Sequence, residues 1–257
     1  MNEKTHKLKI AIISLTSCEG CQFAILDQGK EFLNLLKYAD LKEFRLIEEV
    51  EYNQQEKWDI VFVEGNPVTE ENFKLLQEAR QKSKILVALG NCAALGGVPE
   101  IVNYQDRQKL AEYVYGQKRN LPEFKVKQIS EAVKVDYVIP GCPIEGLDFY
   151  KCFYAIMRGS SKIILPKTRN PLCYECQAQG IACVLRKGEI CLGPITQGGC
   201  QAICLSGGLR CEGCRGLVAG GQVKNHIDYL KKQHSAEEVN SVLEIYGNRD
   251  EAEGLIN

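Results

Sequence analysis

The sequence predicts an α/β protein in two parts: a parallel-sheet domain over residues 1–160 and a loop-rich domain over residues 161–257. Two observations lead to this prediction. Before residue 160, short apolar runs alternate with segments of helical periodicity, as in a parallel sheet with helices on both faces. After residue 160, glycine is frequent, periodicity is weak, and eight cysteines lie between Cys173 and Cys214.

The secondary structure of the first part follows from its apolar runs and turn residues. The predicted strands are residues 9–15, 44–52, 59–64, 84–89 and 135–139. The predicted helices are residues 23–38, 70–81 and 146–157, with two more within residues 223–246. The third to fifth strands are apolar, rich in β-branched residues and followed at once by glycine or proline, which favours buried strands. Thr69 stands where an N-cap is expected before the second helix.

Composition excludes several classes of partner and location. The net charge is −1, and the lysines and arginines are scattered, so no nucleic-acid partner is expected. No stretch approaches the roughly 20 apolar residues of a membrane span. The apolar run at residues 8–15 is too short for a secretion signal, and the chain contains no Arg-Arg pair. A cytoplasmic location is therefore expected, where thiols stay reduced and metal ligation is favoured over disulfides.

Four of the thirteen cysteines are dispersed, and each follows a predicted strand. Cys18 and Cys21 follow the first strand, Cys92 the fourth and Cys142 the fifth. The carboxyl ends of parallel strands share one edge of the sheet, where sites in such folds lie. The four thiols are therefore expected to converge on one iron–sulfur cluster. The alternative is that each one is simply a small buried apolar residue.

The eight crowded cysteines form two further groups of four. The first group is Cys173, Cys176, Cys183 and Cys191, and the second is Cys200, Cys204, Cys211 and Cys214. With the dispersed set, twelve thiols suffice for three cubane clusters. Such a segment has few apolar residues of its own, so bound metal would hold its fold. A zinc ribbon built from Cys173-x2-Cys176 and Cys211-x2-Cys214 is the competing interpretation.

Several motifs resemble those of the small subunit of nickel–iron hydrogenases. In the first part they are Ser17-Cys-Glu-Gly-Cys21, Gly90-Asn-Cys-Ala93 and Gly141-Cys-Pro143. In the second part, Cys191-Leu-Gly-Pro-Ile-Thr196 and Cys211-x2-Cys214-Arg-Gly216 resemble the cytoplasmic branch of that family. That branch includes the sulfhydrogenase delta subunit, which looks most similar, and the small subunits of F420- or viologen-reducing hydrogenases. The resemblance extends over about residues 8–216.

The resemblance implies a flavodoxin-like domain, then an iron–sulfur domain with C-terminal helices, holding three [4Fe-4S] clusters. The proximal cluster would be bound by Cys18, Cys21, Cys92 and Cys142. The distal cluster would take Cys173, Cys176, Cys183 and Cys191, and the medial cluster Cys200, Cys204, Cys211 and Cys214. The chain would have no catalytic residue, because hydrogen is split in a separate large subunit. It would relay electrons to a flavin- or iron–sulfur-containing subunit that reduces NAD(P), F420 or ferredoxin.

Two other functional classes remain open. The cluster subunit of a complex I-like oxidoreductase resembles the first part of the chain, but it has adjacent cysteines where this chain has Cys18-x2-Cys21. The eight additional thiols also distinguish this chain from that subunit. The other class is a non-enzymatic zinc or iron–sulfur module, which metal content would separate from an electron-transfer subunit.

Overall fold

The computed structural model describes residues 7–47, 55–117, 124–160 and 170–256, and contains one five-stranded sheet. The strands are β1 (Leu8–Ser14), β2 (Ala39–Phe44), β3 (Trp58–Glu64), β4 (Ser83–Leu89) and β5 (Tyr137–Ile139). Their order is β2-β1-β3-β4-β5, and every neighbouring pair is parallel. This is the flavodoxin-like order, so the predicted α/β fold class is confirmed.

Eleven α-helices lie within the described ranges. They are α1 (Gly20–Leu26), α2 (Lys30–Leu35), α3 (Glu70–Lys82), α4 (Gly90–Leu95), α5 (Arg107–Tyr115), α6 (Gly146–Met157), α7 (Cys173–Ala178), α8 (Ile203–Ser206), α9 (Val223–Lys231), α10 (Ala236–Glu244) and α11 (Arg249–Ile256). Short 3-10 helices lie at Val98–Tyr104, Ile129–Glu131 and Val184–Lys187. In the same ranges, no helix is long and apolar enough to cross a membrane.

The sheet is buried on both faces, because successive side chains of a strand point to opposite sides. Ile10 and Ile12 of β1 pack in one apolar cluster with Phe149 of α6. Ala11 and Ile13 belong to a second cluster, together with Leu76 and Ala79 of α3. Thr69 caps α3 as predicted, since its side chain accepts a hydrogen bond from the Asn72 backbone N–H. The two helices therefore cover opposite faces and leave the carboxyl edge to the cysteine-bearing loops.

Two sequence predictions about the first part were wrong in their bounds. The second strand was predicted over residues 44–52, but β2 ends at Phe44, and residues 48–52 lie outside the described part. An edge strand tolerates charged side chains such as Asp40 and Lys42, so apolar patterning did not reveal it. The helix predicted over 23–38 is two helices, α1 and α2, separated by Asp27–Gly29. Gly29 has φ +41°, which does not fit a continuous helix.

The second part is built from loops, short helices and three C-terminal helices. The two helices predicted within residues 223–246 are α9 and α10, and α11 was not predicted. These helices bury Ile227, Val239 and Val242 against Ile190 and Leu217 of the loops. Among the described residues, the apolar clusters on the sheet contain none from this part. The division at residue 160 stays a prediction, since residues 161–169 lie outside the described part.

Candidate metal centres

The four dispersed cysteines lie together at the carboxyl edge of the sheet. Cys18 is exposed in the loop after β1, and Cys21 is buried in the first turn of α1. Cys92 lies in α4, directly after β4, and Cys142 follows β5. The pKa of Cys92 is raised to about 11, chiefly by burial and to a lesser extent by the neighbouring Cys18. The pKa of Cys142 is also raised to about 11, chiefly by burial, with smaller contributions from Cys92 and Cys18.

The backbone around this set approaches the sulfurs closely enough to exclude other side chains. A Cβ on Gly90, which has φ +81°, would collide with the Cys21 sulfur. A Cβ on Gly20 would lie 3.4 Å from the Cys18 sulfur. Glycine at these positions leaves the backbone close to whatever the thiols bind. The arrangement fits a compact metal cluster that is enclosed by backbone.

Glu64, which the sequence analysis missed, lies beside the dispersed set. It ends β3 and is 2% exposed. Its carboxylate accepts hydrogen bonds from the Cys21 backbone N–H at 3.1 Å and from Gln22 Nε2 at 2.9 Å. Burial raises its pKa. The sequence feature that could have revealed Glu64 is its position as an acidic residue at the end of an otherwise apolar, buried strand.

Buried asparagines hold the ligand-bearing loops in place. Asn66 is fully buried and donates from Nδ2 to the Cys92 carbonyl at 2.8 Å. Asn91 is 1% exposed and donates to the Cys214 carbonyl at 3.0 Å. These roles were not predicted from the sequence, although β3 and β4 are each followed by Gly-Asn. Such buried amides fix a loop because an unpaired polar group is costly to bury.

The first crowded group also converges. The pKa of Cys173 is raised to about 12, chiefly by burial and to a lesser extent by the neighbouring Cys191, Cys176 and Cys183. The sulfurs of Cys173 and Cys191 each lie 3.5 Å from the position that a Cβ would take on Gly193. Cys176 and Cys191 are buried, whereas Cys183 is exposed. The group therefore has a closed inner side and an open outer side.

The second crowded group lies between the other two. Burial raises the pKa of Cys214 to about 11, and Cys200, Cys142 and Cys204 contribute smaller increases. Burial also raises the pKa of Cys211, with additions from Cys191 of the first crowded group and from Cys214. Cys204 is exposed and Cys200 is half-buried. Cys214 thus faces the dispersed set, while Cys211 faces the first crowded group.

The donor chemistry of all three sets suits iron–sulfur clusters. Nine of the twelve thiols have a raised pKa, so without a cation they would stay protonated at neutral pH. Within the described ranges, no three His, Cys, Asp or Glu side chains converge closely enough for a single metal ion. Thiolates around a cubane stand further apart, because they surround four irons and four sulfides.

The thirteenth cysteine lies outside these sets. Cys152 is 1% exposed on α6 and packs in the apolar cluster with Phe149 and Phe153. Its pKa is raised to about 12, chiefly by burial and to a lesser extent by Asp148. The prediction that Cys152 is a buried apolar residue is confirmed.

Comparison with known proteins places the chain in a family. Residues 18–156 match the family described as the 20 Kd subunit of NADH ubiquinone oxidoreductase. Sulfhydrogenase 2 subunit delta of Pyrococcus furiosus is 34% identical over 90% of this chain and 96% of its own length. The chain belongs to the NADH ubiquinone oxidoreductase 20 Kd subunit family. A subunit of the F420-non-reducing hydrogenase of Methanothermobacter marburgensis is 29% identical, over 83% of this chain and 80% of its own.

A solved structure agrees with the sequence relatives. A chain in the crystal structure of an NAD+-reducing [NiFe]-hydrogenase in the H2-reduced state is 28% identical, with a TM-score of 0.56. The match covers 63% of this chain and 96% of that one. The predicted resemblance to hydrogenase small subunits and the assignment to the oxidoreductases are therefore confirmed.

Proposed function

We propose that this chain is the electron-transfer small subunit of a cytoplasmic nickel–iron hydrogenase and binds three [4Fe-4S] clusters. The observation that carries the proposal is the serial arrangement of three four-thiol sets. The dispersed set is the proximal site, the second crowded group the medial site, and the first crowded group the distal site. Their ligands are those expected from the family resemblance.

Contacts between the sets support this order. Asn91, which precedes Cys92, donates from Nδ2 to the Cys214 carbonyl at 3.0 Å and so joins the proximal and medial sites. The backbone N–H of Leu192, which follows Cys191, donates to the Cys211 carbonyl at 2.8 Å and joins the distal and medial sites. Electron transfer between successive centres requires that their sites adjoin in this way. The medial set would therefore hold the intermediate electron carrier between the proximal and distal sites.

The residues of the chain would bind the clusters, exclude water and adjust their potentials. Iron–sulfur clusters supply one-electron redox chemistry when they are bound. Backbone N–H groups of Gly193 and Cys211 lie against the Cys191 sulfur and lower its pKa against the larger effect of burial. Donors of this kind stabilise negative charge on sulfur and so favour a reduced cluster. Burial of Cys21 and Cys211 keeps solvent away from the two inner sets.

The exposed thiols indicate where the partners would bind. Cys18 is the exposed member of the proximal set, so the nickel–iron large subunit would cover this edge of the sheet. Cys183 is the exposed member of the distal set, and Tyr174, which follows the distal ligand Cys173, is 64% exposed. A flavin- or iron–sulfur-containing subunit would dock there and reduce NAD(P), F420 or ferredoxin.

A second candidate function follows from the description of the matched family. A cluster subunit of a complex I-like oxidoreductase would use the same sheet edge and the same proximal position. The relatives with hydrogenase names match most of the chain, including the second part with its eight cysteines. Hydrogenase function is for this reason the better-supported proposal.

Iron content tests the cluster assignment. Anaerobically purified protein is expected to contain about 12 irons and as many acid-labile sulfides per chain, because each cubane holds four of each. The paired replacements Cys18→Ala with Cys21→Ala, Cys173→Ala with Cys176→Ala, and Cys211→Ala with Cys214→Ala should each remove about four irons. Metal analysis and electron paramagnetic resonance of the reduced proteins provide the measurement.

The control for these replacements is Cys152→Ala. It removes a buried thiol that lies outside all three sets, so the iron content should not change. Zinc in place of iron, or a full iron content in any of the three paired variants, would contradict the assignment.

A further inference from the structure

Arg215 is the largest fully buried side chain in the described part of the chain. It is 1% exposed and directly follows Cys214 of the medial set. Arginine is almost never buried to this extent unless its charge is paired. An apolar side chain of similar size would often give equal or greater stability than a buried ion pair. The presence of a full positive charge at this position therefore requires an explanation beyond packing.

The guanidinium joins loops that carry ligands of different sets. Its Nε donates to the Gly198 carbonyl at 2.9 Å, and Nη1 donates to the Pro140 carbonyl at 3.2 Å. Gly198 lies two residues before Cys200, and Pro140 lies two residues before Cys142. Arg215 thus connects the medial and proximal ligand loops through the backbone.

The charge of Arg215 is paired with a single buried carboxylate. Nη2 lies 3.2 Å from Asp148 Oδ2 in α6, and the Asp148 side chain is 3% exposed. Lys151 approaches the other oxygen of Asp148 at 3.1 Å, but its side chain is 48% exposed. The buried pair is therefore Arg215 with Asp148, and Lys151 contributes a solvent-screened charge.

Space for the guanidinium depends on Gly199. This residue has φ +119°, and a Cβ placed on it would lie 2.6 Å from Arg215 Nη2. Any other residue would displace the guanidinium as well as strain the backbone. The local sequence Gly198-Gly199-Cys200 thus lets a cation lie directly beside a medial ligand loop.

The cation lies beside the medial ligands. Arg215 directly follows Cys214 in the chain, and its Nε lies 2.9 Å from the carbonyl oxygen of Gly198, two residues before Cys200. A positive charge that favours a thiolate also favours the extra electron of a reduced cluster, because both states add negative charge. In a buried environment such an interaction is only weakly screened. A fixed cation near the medial set therefore makes electron arrival there more favourable.

We propose that Arg215 and its partner Asp148 set the reduction potential of the medial cluster relative to the proximal cluster. The inference rests on the proposed function, since it requires clusters at both sites. Clusters held by the proximal and medial thiols would supply a one-electron transfer, in which the proximal site would be oxidised, the medial site would be reduced, and no bond would form or break. Arg215 stabilises the reduced medial cluster, and Asp148 limits that stabilisation. Both are positioning residues that tune the cluster without ligating it.

Removing the charge of Arg215 and removing the charge of Asp148 are expected to shift the medial reduction potential in opposite directions. Arg215→Gln is expected to shift the medial potential to a more negative value, because a cation is lost. Asp148→Asn is expected to shift it to a more positive value, because the Asn oxygen still accepts the hydrogen bond while the negative charge is lost. Arg215→Lys, which retains the charge, is expected to lie closer to wild type than Arg215→Gln. A role in packing alone would not give shifts of opposite sign.

The measurement is a redox titration of the native complex monitored by electron paramagnetic resonance. The signal lost in Cys204→Ala identifies the medial cluster. Arg210→Gln is the matched control: Arg210 lies beside Cys211 and its side chain is 38% exposed, so loss of its charge should give a smaller shift.

Iron content separates failure of this inference from failure of the proposed function. Protein without iron would contradict the proposed function itself. Full iron content with unchanged potentials, or with shifts of the same sign in Arg215→Gln and Asp148→Asn, would contradict only the role of the pair. If Arg215→Gln does not retain medial iron, the Asp148→Asn variant is the deciding test. A positive shift of its medial potential supports the inference, and any other result overturns it.

Discussion

Replacement of Cys92 with alanine is expected to abolish hydrogen-dependent reduction of every electron acceptor. Cys92 lies in α4 within the proximal set, where burial and the neighbouring Cys18 both raise its pKa. Loss of one thiolate from a buried four-ligand site would break the first step of the proposed route. The measurement is acceptor reduction under hydrogen by the intact complex, compared with hydrogen–deuterium exchange, which requires only the large subunit.

The control for Cys92→Ala is again Cys152→Ala, which removes a fully buried thiol from α6. That variant should reduce acceptors at the wild-type rate. Exchange activity should persist in Cys92→Ala if the large subunit is correctly assembled. Normal acceptor reduction by Cys92→Ala would remove Cys92 from the electron route.

Removal of iron is expected to unfold the loops over residues 170–216 while the sheet stays folded. The regular structure of this segment consists of α7, α8 and one 3-10 helix, of four to six residues each. Its own apolar cluster relies on Cys176, Cys191 and Cys211, which would be metal ligands. The sheet has two apolar clusters that do not depend on the second part. Folding of the segment is therefore expected to be coupled to metal binding.

Limited proteolysis before and after anaerobic chelation of iron measures this effect. New cleavage sites should appear within residues 170–216, and the fragment that contains β1 to β5 should remain resistant. Mass spectrometry of the fragments locates the sites. An unchanged cleavage pattern in iron-free protein would show that apolar packing alone maintains the second part.

The sequence predicted the parallel sheet and its convergent cysteines because both depend on local signals. The apolar runs of β3, β4 and β5 end at glycine or proline, and their bounds were predicted to within two residues. Once these strands are parallel, the carboxyl-edge position of Cys92 and Cys142 follows from topology. No distance information was needed for that inference.

Features that depend on tertiary contacts could not be predicted in this way. Arg215 binds the carbonyls of Gly198 and Pro140, which are 17 and 75 residues away in the sequence. No periodic pattern encodes such a contact. The buried hydrogen bonds of Glu64 and Asn91 likewise involve residues that are distant in the sequence. The bounds of β2 could not be predicted either, because an edge strand tolerates charged residues and so lacks a clear apolar pattern.

The most direct test of the account is the visible absorbance of the anaerobically purified native complex before and after hydrogen is added. We expect hydrogen alone to bleach the iron–sulfur absorbance of this chain, with about 12 irons present per chain. That result would show that electrons from hydrogen reach the clusters. Full iron content without bleaching would contradict the hydrogenase assignment and favour the complex I-like alternative.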